Sequence, residues 1–345
     1  MSLLTTLLPH AIRAVERTPL PDRATRAGVQ ALCAMRRRSL VGAPPNEAEF
    51  AAAMAAFPIA EHADAANAQH YELPPEFFAA TLGPRRKYSC CLYPAGRETL
   101  VEAEVLALEE TVVHAGLGDG QDVLELGCGW GSLSLFMAER YPASRIVAVS
   151  NSAPQRGFIE AEAARVGLHN LRVVTADMNA FDPGRTFDRV VSVEMFEHMA
   201  NWRGLLERVR GWLQPDGRLF LHVFSHKSHC YRYDANDPAD WIARHFFTGG
   251  IMPSRGLAAQ FPDVFAVEAE WKWNGTHYAR TARDWLARFD ANRARIDPIL
   301  REVYGRDATL WRRRWRLFYL AVEGMFGHAG GSEWGVSHYR LRPAD

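Results

Sequence analysis

The chain has 345 residues, 48% of them hydrophobic and 23% charged, with 40 Lys+Arg balanced by 40 Asp+Glu. That length spans one large domain or two smaller ones, and that composition buries a core without metal or disulfide staples. Zero net charge argues against a general nucleic-acid binder, which carries a basic excess, and five cysteines with no C-x-x-C pair read as reduced thiols of a cytoplasmic protein.

The opening MSLLTTLLPHAIRAVERTP lacks a basic start and a small-residue cleavage pattern, so it reads as a helix rather than a signal peptide. No apolar run approaches the ~20 residues of a membrane span. Residues 1–65 read as two or three helices, broken at the Pro19–Pro21 pair and restarting at Asp22 as a cap. Arg36, Arg37 and Arg38 read as a solvated face, with contact to an anionic surface or another subunit as the alternative. Residues 66–100 are irregular, punctuated by Pro74, Pro75, Gly83, Pro84 and Pro94. A long amphipathic helix is predicted over 98–115.

From Asp122 the pattern changes to alternation. DVLELG, RIVAVS, LRVVTAD, DRVVSVE and RLFLHVF read as strands, and 131–141, PQRGFIEAEAARVG and WRGLLERVRGWL as helices. Strands alternating with helices mean βαβ units and a parallel sheet, an α/β Rossmann-like fold. Beyond 225 the alternation stops, leaving a loop-rich stretch and helices over TARDWLARFDANRARIDPIL and 308–325. The expected organisation is an N-terminal helical segment with a covering loop (1–99), the Rossmann-like ligand-binding domain (100–225) and a mostly helical substrate-binding cap (226–345). The cap would fold over the C-terminal edge of the sheet, where such sheets bind ligands.

The glycine turn after the first strand carries the chemistry. Gly127 and Gly129 permit positive φ and close approach of a ligand, at a helix N-terminus whose amides face the crevice. A dinucleotide site prefers G-x-G-x-x-G and an acid at the end of the second strand. Here the third glycine comes one place early, and Ser150, Asn151 and Gln155 are neutral hydrogen-bonders. With Glu125 two places before Gly127, the turn resembles that of S-adenosylmethionine-dependent methyltransferases, in which this acid contacts the methionine moiety. Asp177 suits the adenine amino group and Met178 its ring face; a turn or helix-cap role competes for Asp177.

Tyr88-Ser89-Cys90, L-G-C-G-W-G from Leu126 and V-E-M-F-E-H-M from Val193 resemble the family that joins cyclopropane fatty acid synthases to coclaurine-type N-methyltransferases. YELPPEF from Tyr71, the doubled Cys90-Cys91, HKSHCYRY from His226, RTARDWLARFDAN and the terminal MFG…EW…SH are similar to the coclaurine-type branch. The resemblance covers residues 65–345 and implies a class I methyltransferase sheet. It implies that Tyr88, Ser89, Gly127, Gly129, Ser150, Asn151, Gln155, Asp177 and Met178 line S-adenosylmethionine.

Two chemistries follow from it. In the N-methyltransferase branch the positions of Glu194, Glu197 and His198 manage the proton that an amine must lose before it attacks. Glu197 and His198 are the favoured acceptors, and a small-molecule amine is the favoured substrate. In the cyclopropane branch a bound bicarbonate is the base, and its cradle maps to Cys90, Glu197, His222 and Tyr278, with an unsaturated lipid acyl chain as substrate. Trp241, Phe246, Phe247, Trp271, Trp273 and Trp285 serve either as core or as walls of an acceptor pocket. A nicotinamide oxidoreductase and a non-catalytic binding module are the readings outside methyl transfer. No metal site is expected, since the thirteen histidines show no ligand spacing. Contact with membrane would be transient, through Arg36–Arg38, and the oligomeric state is open, a dimer included.

Overall fold

The structure is a computed structural model that describes residues 12–18, 20–61, 73–237 and 240–344. Of the opening stretch expected to be a helix, MSLLTTLLPHAIRAVERTP, residues 1–11 lie outside the described residues and 12–17 are helical; the Tyr71 and Glu72 that open YELPPEF also lie outside them.

A long helix, α1 (Asp22–Val41), and a short one, α2 (Glu47–Ala53), frame the start. After α3 (Pro75–Thr81) the chain runs through an extended segment to α4 (Leu100–Ala115). Local chemistry fixes both ends of α4. Thr99 Oγ1 accepts from the Glu102 amide while the Glu102 carboxylate takes the Thr99 amide, a reciprocal cap, and Gly116 closes the helix in the left-handed conformation at φ 64°. The predicted alternation then appears as β1 (Asp122–Leu126), α5 (Ser132–Arg140), β2 (Arg145–Ser150), α6 (Ala153–Val166), β3 (Leu171–Thr175), β4 (Phe187–Val193), α7 (Trp202–Gly211) and β5 (Leu213–His226). β1 to β5 pair in parallel, in the spatial order β3-β2-β1-β4-β5.

The rest of the chain supplies the long helices expected of the cap and adds two strands to the sheet. It contributes β6 (Tyr231–Arg232), α8 (Trp241–His245) and β7 (Ile251–Met252), then β8 (Phe265–Trp273), α9 (Gly275–Ala291), α10 (Arg293–Tyr304), α11 (Ala308–Gly327) and β9 (Trp334–Pro343). β9 lies antiparallel against β5, and β8 antiparallel against β9, completing a seven-stranded sheet. A boundary at 226 therefore cuts through the sheet rather than between sheet and cap. The two strands escape a reading of apolar runs for physical reasons. β9 is central, yet it buries Ser337 and His338 completely, so its core run is interrupted by polar residues. β8 is the edge strand, and its FAVEAEWKW carries charges on the open face.

A boundary at 99 does not divide the packing either. α1 lies on α11: Arg26 pairs with Glu323 at 3.0 Å, and Gln30 Nε2 donates to the Gly324 carbonyl at 2.8 Å. Of the basic run, Arg37 pairs with buried Glu333 at 3.1 Å and Arg36 lies 5.0 Å above the Tyr231 ring. Those two cations are engaged within the fold instead of forming a free basic face. No helix of the described residues is long and apolar enough to cross a membrane.

Candidate active site

Glu125 lies one residue before the end of the buried strand β1, and the chain turns at Gly127 (φ 78°) and Gly129 (φ 51°) before entering α5. Beside this turn lie two adjoining cavities at the C-terminal edge of the sheet. One is walled by Gly127, Gly129, Ser150, Asn151, Asp177 and Met178; the other by Tyr88, Ser89, Glu125 and Ser132. Gln155 lines both. All ten residues expected at the cofactor thus border one continuous cleft.

Its walls hold unspent hydrogen-bonding capacity. Gln155 Nε2, Ser132 Oγ and Trp130 Nε1 are buried with no partner among the described residues, a cost that a polar ligand would remove. Gln155 Oε1 is already fixed by Ser150 Oγ at 2.6 Å, which aims the free amide nitrogen. Asp177 has the turn role too: its Oδ1 accepts from the Asn179 amide at 2.8 Å. These residues fit a nucleoside with an amino-acid tail.

Glu125 has a testable electrostatic consequence. Its carboxylate is wholly buried and accepts from Ser134 Oγ at 2.5 Å; burial pushes its pKa up to about 7. A cation seated beside it favours the ionised form, so binding the methionine ammonium is expected to expel a proton, and affinity is expected to fall as pH drops below about 7. In the free protein the same raised value favours folding fully below 4.5 and loses that contribution as pH rises through about 7. Calorimetry of S-adenosylhomocysteine in two buffers of different ionisation enthalpy checks the binding half. Heats that differ for the wild type and agree for Glu125→Gln are expected; identical wild-type heats would show that Glu125 does not change protonation.

A third cavity, walled by Tyr88, Phe246, Phe247, Trp285, Tyr278 and Glu194 among others, opens beside the cleft. Glu194 borders all three cavities. It follows β4 and adopts φ 48°, a left-handed backbone that non-glycine residues seldom take outside constrained sites. Its carboxylate is held by three groups. The Cys90 amide donates to Oε1 at 2.9 Å, Tyr278 Oη donates to Oε2 at 2.6 Å, and His222 Nε2 shares a hydrogen bond with Oε1 at 3.1 Å. The buried Lys87 ammonium, which donates to Ser89 Oγ and to the Cys90 carbonyl, adds positive potential. Burial raises the Glu194 pKa, and Lys87, the Cys90 amide and Tyr278 pull it back.

Glu197 sits differently. It is fully buried; Oε1 accepts from the Phe224 amide at 2.6 Å, and Oε2 has no partner among the described residues. Burial first, and the neighbouring Glu194 charge second, push its pKa well above the carboxylate range. His198 lies on the cavity wall with its ring 4.6 Å from that of Phe247.

The six residues expected to catalyse therefore separate. Glu194, His198 and Tyr278 face the cavities, while Cys90, Glu197 and His222 stand behind them. Of the four groups expected to cradle bicarbonate, Cys90, His222 and Tyr278 converge instead on the carboxylate of Glu194, whereas Glu197 does not join them and is held by the Phe224 amide. Of the aromatic cluster, Phe246, Phe247 and Trp285 wall the third cavity. Trp241 donates to Glu16, Trp271 stacks on His114 and Trp273 packs on His338. Lys87 was not legible as a site residue, although it directly precedes Tyr88-Ser89.

The model of the mycolic acid cyclopropane synthetase family matches residues 60–327. (S)-Coclaurine N-methyltransferase of Thalictrum flavum subsp. glaucum is 38% identical over 285 residues, covering 81% of this chain and 79% of that protein. The cyclopropane-fatty-acyl-phospholipid synthase of Escherichia coli (strain K12) is 33% identical over 224 residues, 64% of this chain and 55% of that protein. The crystal structure of coclaurine N-methyltransferase bound to N-methylheliamine and S-adenosylhomocysteine superimposes with a TM-score of 0.89 at 33% identity, over 98% of each chain. The cyclopropane synthase MmaA2 from Mycobacterium tuberculosis, at 22% identity and a TM-score of 0.67 over 82% of this chain and 98% of that one, shares the fold.

Proposed function

This chain belongs to the mycolic acid cyclopropane synthetase family and is an S-adenosylmethionine-dependent methyltransferase, and on that premise we propose that it methylates the nitrogen of a small aromatic amine, with Glu194 as the proton acceptor. The observation that carries this reading is the place of the Glu194 carboxylate. It occupies the point where the Cys90 amide, His222 Nε2 and Tyr278 Oη converge, three of the four groups that would otherwise hold a dissociable bicarbonate. A protein-borne base at that point suits an amine, whose proton must go before its lone pair can attack. Relatives named for N-methylation of (S)-coclaurine, pavine and tetrahydroprotoberberine support the same choice.

The cofactor supplies a sulfonium-bound, already electrophilic methyl group. What remains for the chain is positioning, water exclusion and proton management. The aromatic wall of the third cavity offers ring faces to an ammonium or to an aryl group and keeps water out. Of the two adjacent carboxyls, burial and the Glu194 charge push Glu197 furthest towards its protonated form, whereas Glu194, steadied by the Cys90 amide, Tyr278 Oη and Lys87, is the one able to ionise. Glu194 can then take the ammonium proton from the cavity it borders. His198, on the same wall, packs against Phe247 and orients the acceptor. The five buried free thiols accord with a reducing compartment, and we place the protein in the cytoplasm.

The test is methyl transfer from labelled S-adenosylmethionine to heliamine and to unsaturated phospholipid vesicles, each with and without bicarbonate. Label on the amine, unchanged by bicarbonate, is the expected result. Label in the lipid and dependent on bicarbonate would overturn the proposal in favour of acyl-chain alkylation.

A further inference from the structure

Amine methylation at neutral pH releases one proton for each methyl group transferred, and the acceptor cavity is walled by aromatic rings. Glu194 needs an outlet. Behind it an unbroken row of imidazoles begins at His222 and continues through two rings that the mechanism above does not use. His222 Nε2 meets Glu194 Oε1 at 3.1 Å, and His222 Nδ1 meets His338 Nε2 at 2.8 Å. His338 Nδ1 meets His114 Nδ1 at 2.8 Å, and His114 Nε2 meets Glu110 Oε1 at 3.0 Å. Each ring spends both of its nitrogens in the row. His222, His338 and His114 are all buried, whereas the Glu110 side chain is 42% exposed. We propose that His222, His338 and His114 form a proton exit path that carries the amine's proton from Glu194 to Glu110 and solvent. This rests on the reading of Glu194 as the acceptor of an amine proton.

The fold builds the row from three elements distant in sequence. His222 of β5 and His338 of β9 are direct cross-strand partners, which places their side chains on one face of the sheet. His114 ends α4, where Trp271 of β8 stacks on it with ring centroids 3.9 Å apart. Two ring nitrogens 2.8 Å apart require an N–H between them. Among the described residues no group of His, Cys, Asp or Glu is arranged to hold a metal ion.

Proton counting shows what the row can do. It has four links, and three neutral imidazoles bring three N–H groups. With both carboxylates ionised, one link stays open. When the rings donate outward, the open link lies between Glu194 and His222 Nε2. A proton taken from the substrate ammonium closes it as an O–H. Then each proton advances one link: the Glu194 O–H bond breaks as His222 Nε2–H forms, His222 Nδ1–H passes to His338 Nε2, His338 Nδ1–H to His114 Nδ1, and His114 Nε2–H to Glu110 Oε1. One proton has crossed, and no ring is left charged. Glu110 releases it to water. Rotating a ring does not move a proton between its own Nδ1 and Nε2, so the outward tautomers return by exchange of the ring N–H protons with water before the next turnover.

The charged groups facing the row are Lys87 beside His222 and His338, and Arg340 and Glu110 beside His114. Phe220, Trp271 and Trp273 fill the remaining space. Burial pulls all three imidazoles below their usual pKa, which keeps them neutral and fit to hand protons on.

The experiment is the pH dependence of heliamine methylation by His338→Phe and by Glu110→Gln. His338→Phe is expected to lower kcat about 10-fold or more at neutral pH, the scale of an assisted proton transfer, with KM unchanged. The deficit should close as pH rises towards the pKa of the amine, which then arrives unprotonated. Glu110→Gln, a surface change that spares the core, should show a smaller deficit with the same pH signature. A deficit equal at every pH, or none in either variant, would overturn the exit path. Absence of N-methylation by the wild type at any pH is a different failure, that of the amine reading itself.

Discussion

Replacing Glu194 by glycine is expected to lower kcat on an amine by about 10²–10⁴-fold, the range that a positioned base contributes, and to make the remaining activity respond to added formate or bicarbonate. The backbone tolerates the change, because φ 48° is unstrained for glycine. What is lost is the carboxylate, and what stays is its setting: the Cys90 amide, Tyr278 Oη, His222 Nε2 and the nearby Lys87 charge. Such an array is costly to leave unpaired in a buried place and would accept a small oxyanion. Glu194→Gln is the matched control. Its amide fills the same volume but cannot take a proton, so it should be equally slow and insensitive to formate. Turnover by both variants at the wild-type rate would remove Glu194 from the chemistry. Loss in both without anion rescue would mean that the donors collapse once the carboxylate is gone. S-Adenosylhomocysteine affinity separates these outcomes from a damaged cleft, and it is expected to stay within a few-fold of wild type.

That prediction depends on a distinction the sequence blurs. V-E-M-F-E-H-M marks where the acid–base chemistry lies, because the motif follows the fourth strand of a parallel sheet. It does not say which carboxylate faces the ligand. Glu194 and Glu197 are separated by a tight turn with one left-handed residue, so neither the twofold nor the 3.6-fold period assigns their directions. The turn sends Glu194 to the junction of the cavities and Glu197 into the core. The residues from Glu125 to Met178 that border the cleft are easier to place, since they lie at or near the ends of β1, β2 and β3, whose order follows from the βαβ alternation. His338 and His114 were not legible. Their meeting depends on β9 being inserted antiparallel beside β5, and the terminal S-H of β9 looks like a loop until that pairing is known. Lys87 is hidden for a related reason: a lysine closing the basic run Arg85-Arg86-Lys87 in an irregular segment reads as solvated, and only the fold buries it.

The two glycines of the turn are expected to fail in different ways when changed to alanine. At Gly127 a Cβ would lie 2.5 Å from Met195 Cβ and Cγ. Those atoms belong to the residue after Glu194 and sit close to its backbone, so a rotamer change does not relieve the contact. A left-handed φ of 78° adds about 1–2 kcal/mol for any side chain. Gly127→Ala should therefore destabilise the free protein, push the 194–198 turn outward and lower both kcat and cofactor affinity. At Gly129 a Cβ would meet nothing within 4 Å, although φ is 51°. Gly129→Ala should keep kcat at saturating cofactor near wild type and raise the dissociation constant of S-adenosylhomocysteine about 10-fold, because the added methyl stands on the cleft wall where a ligand must approach the backbone. Thermal melts with and without S-adenosylhomocysteine distinguish the two. Gly127→Ala should melt well below wild type even without ligand, whereas Gly129→Ala should melt within a few degrees of wild type alone and gain less from ligand. Equal ligand-induced shifts in wild type and Gly129→Ala would place the cofactor away from this turn. A normal melt and normal kcat for Gly127→Ala would show that the Glu194 turn is not braced against β1.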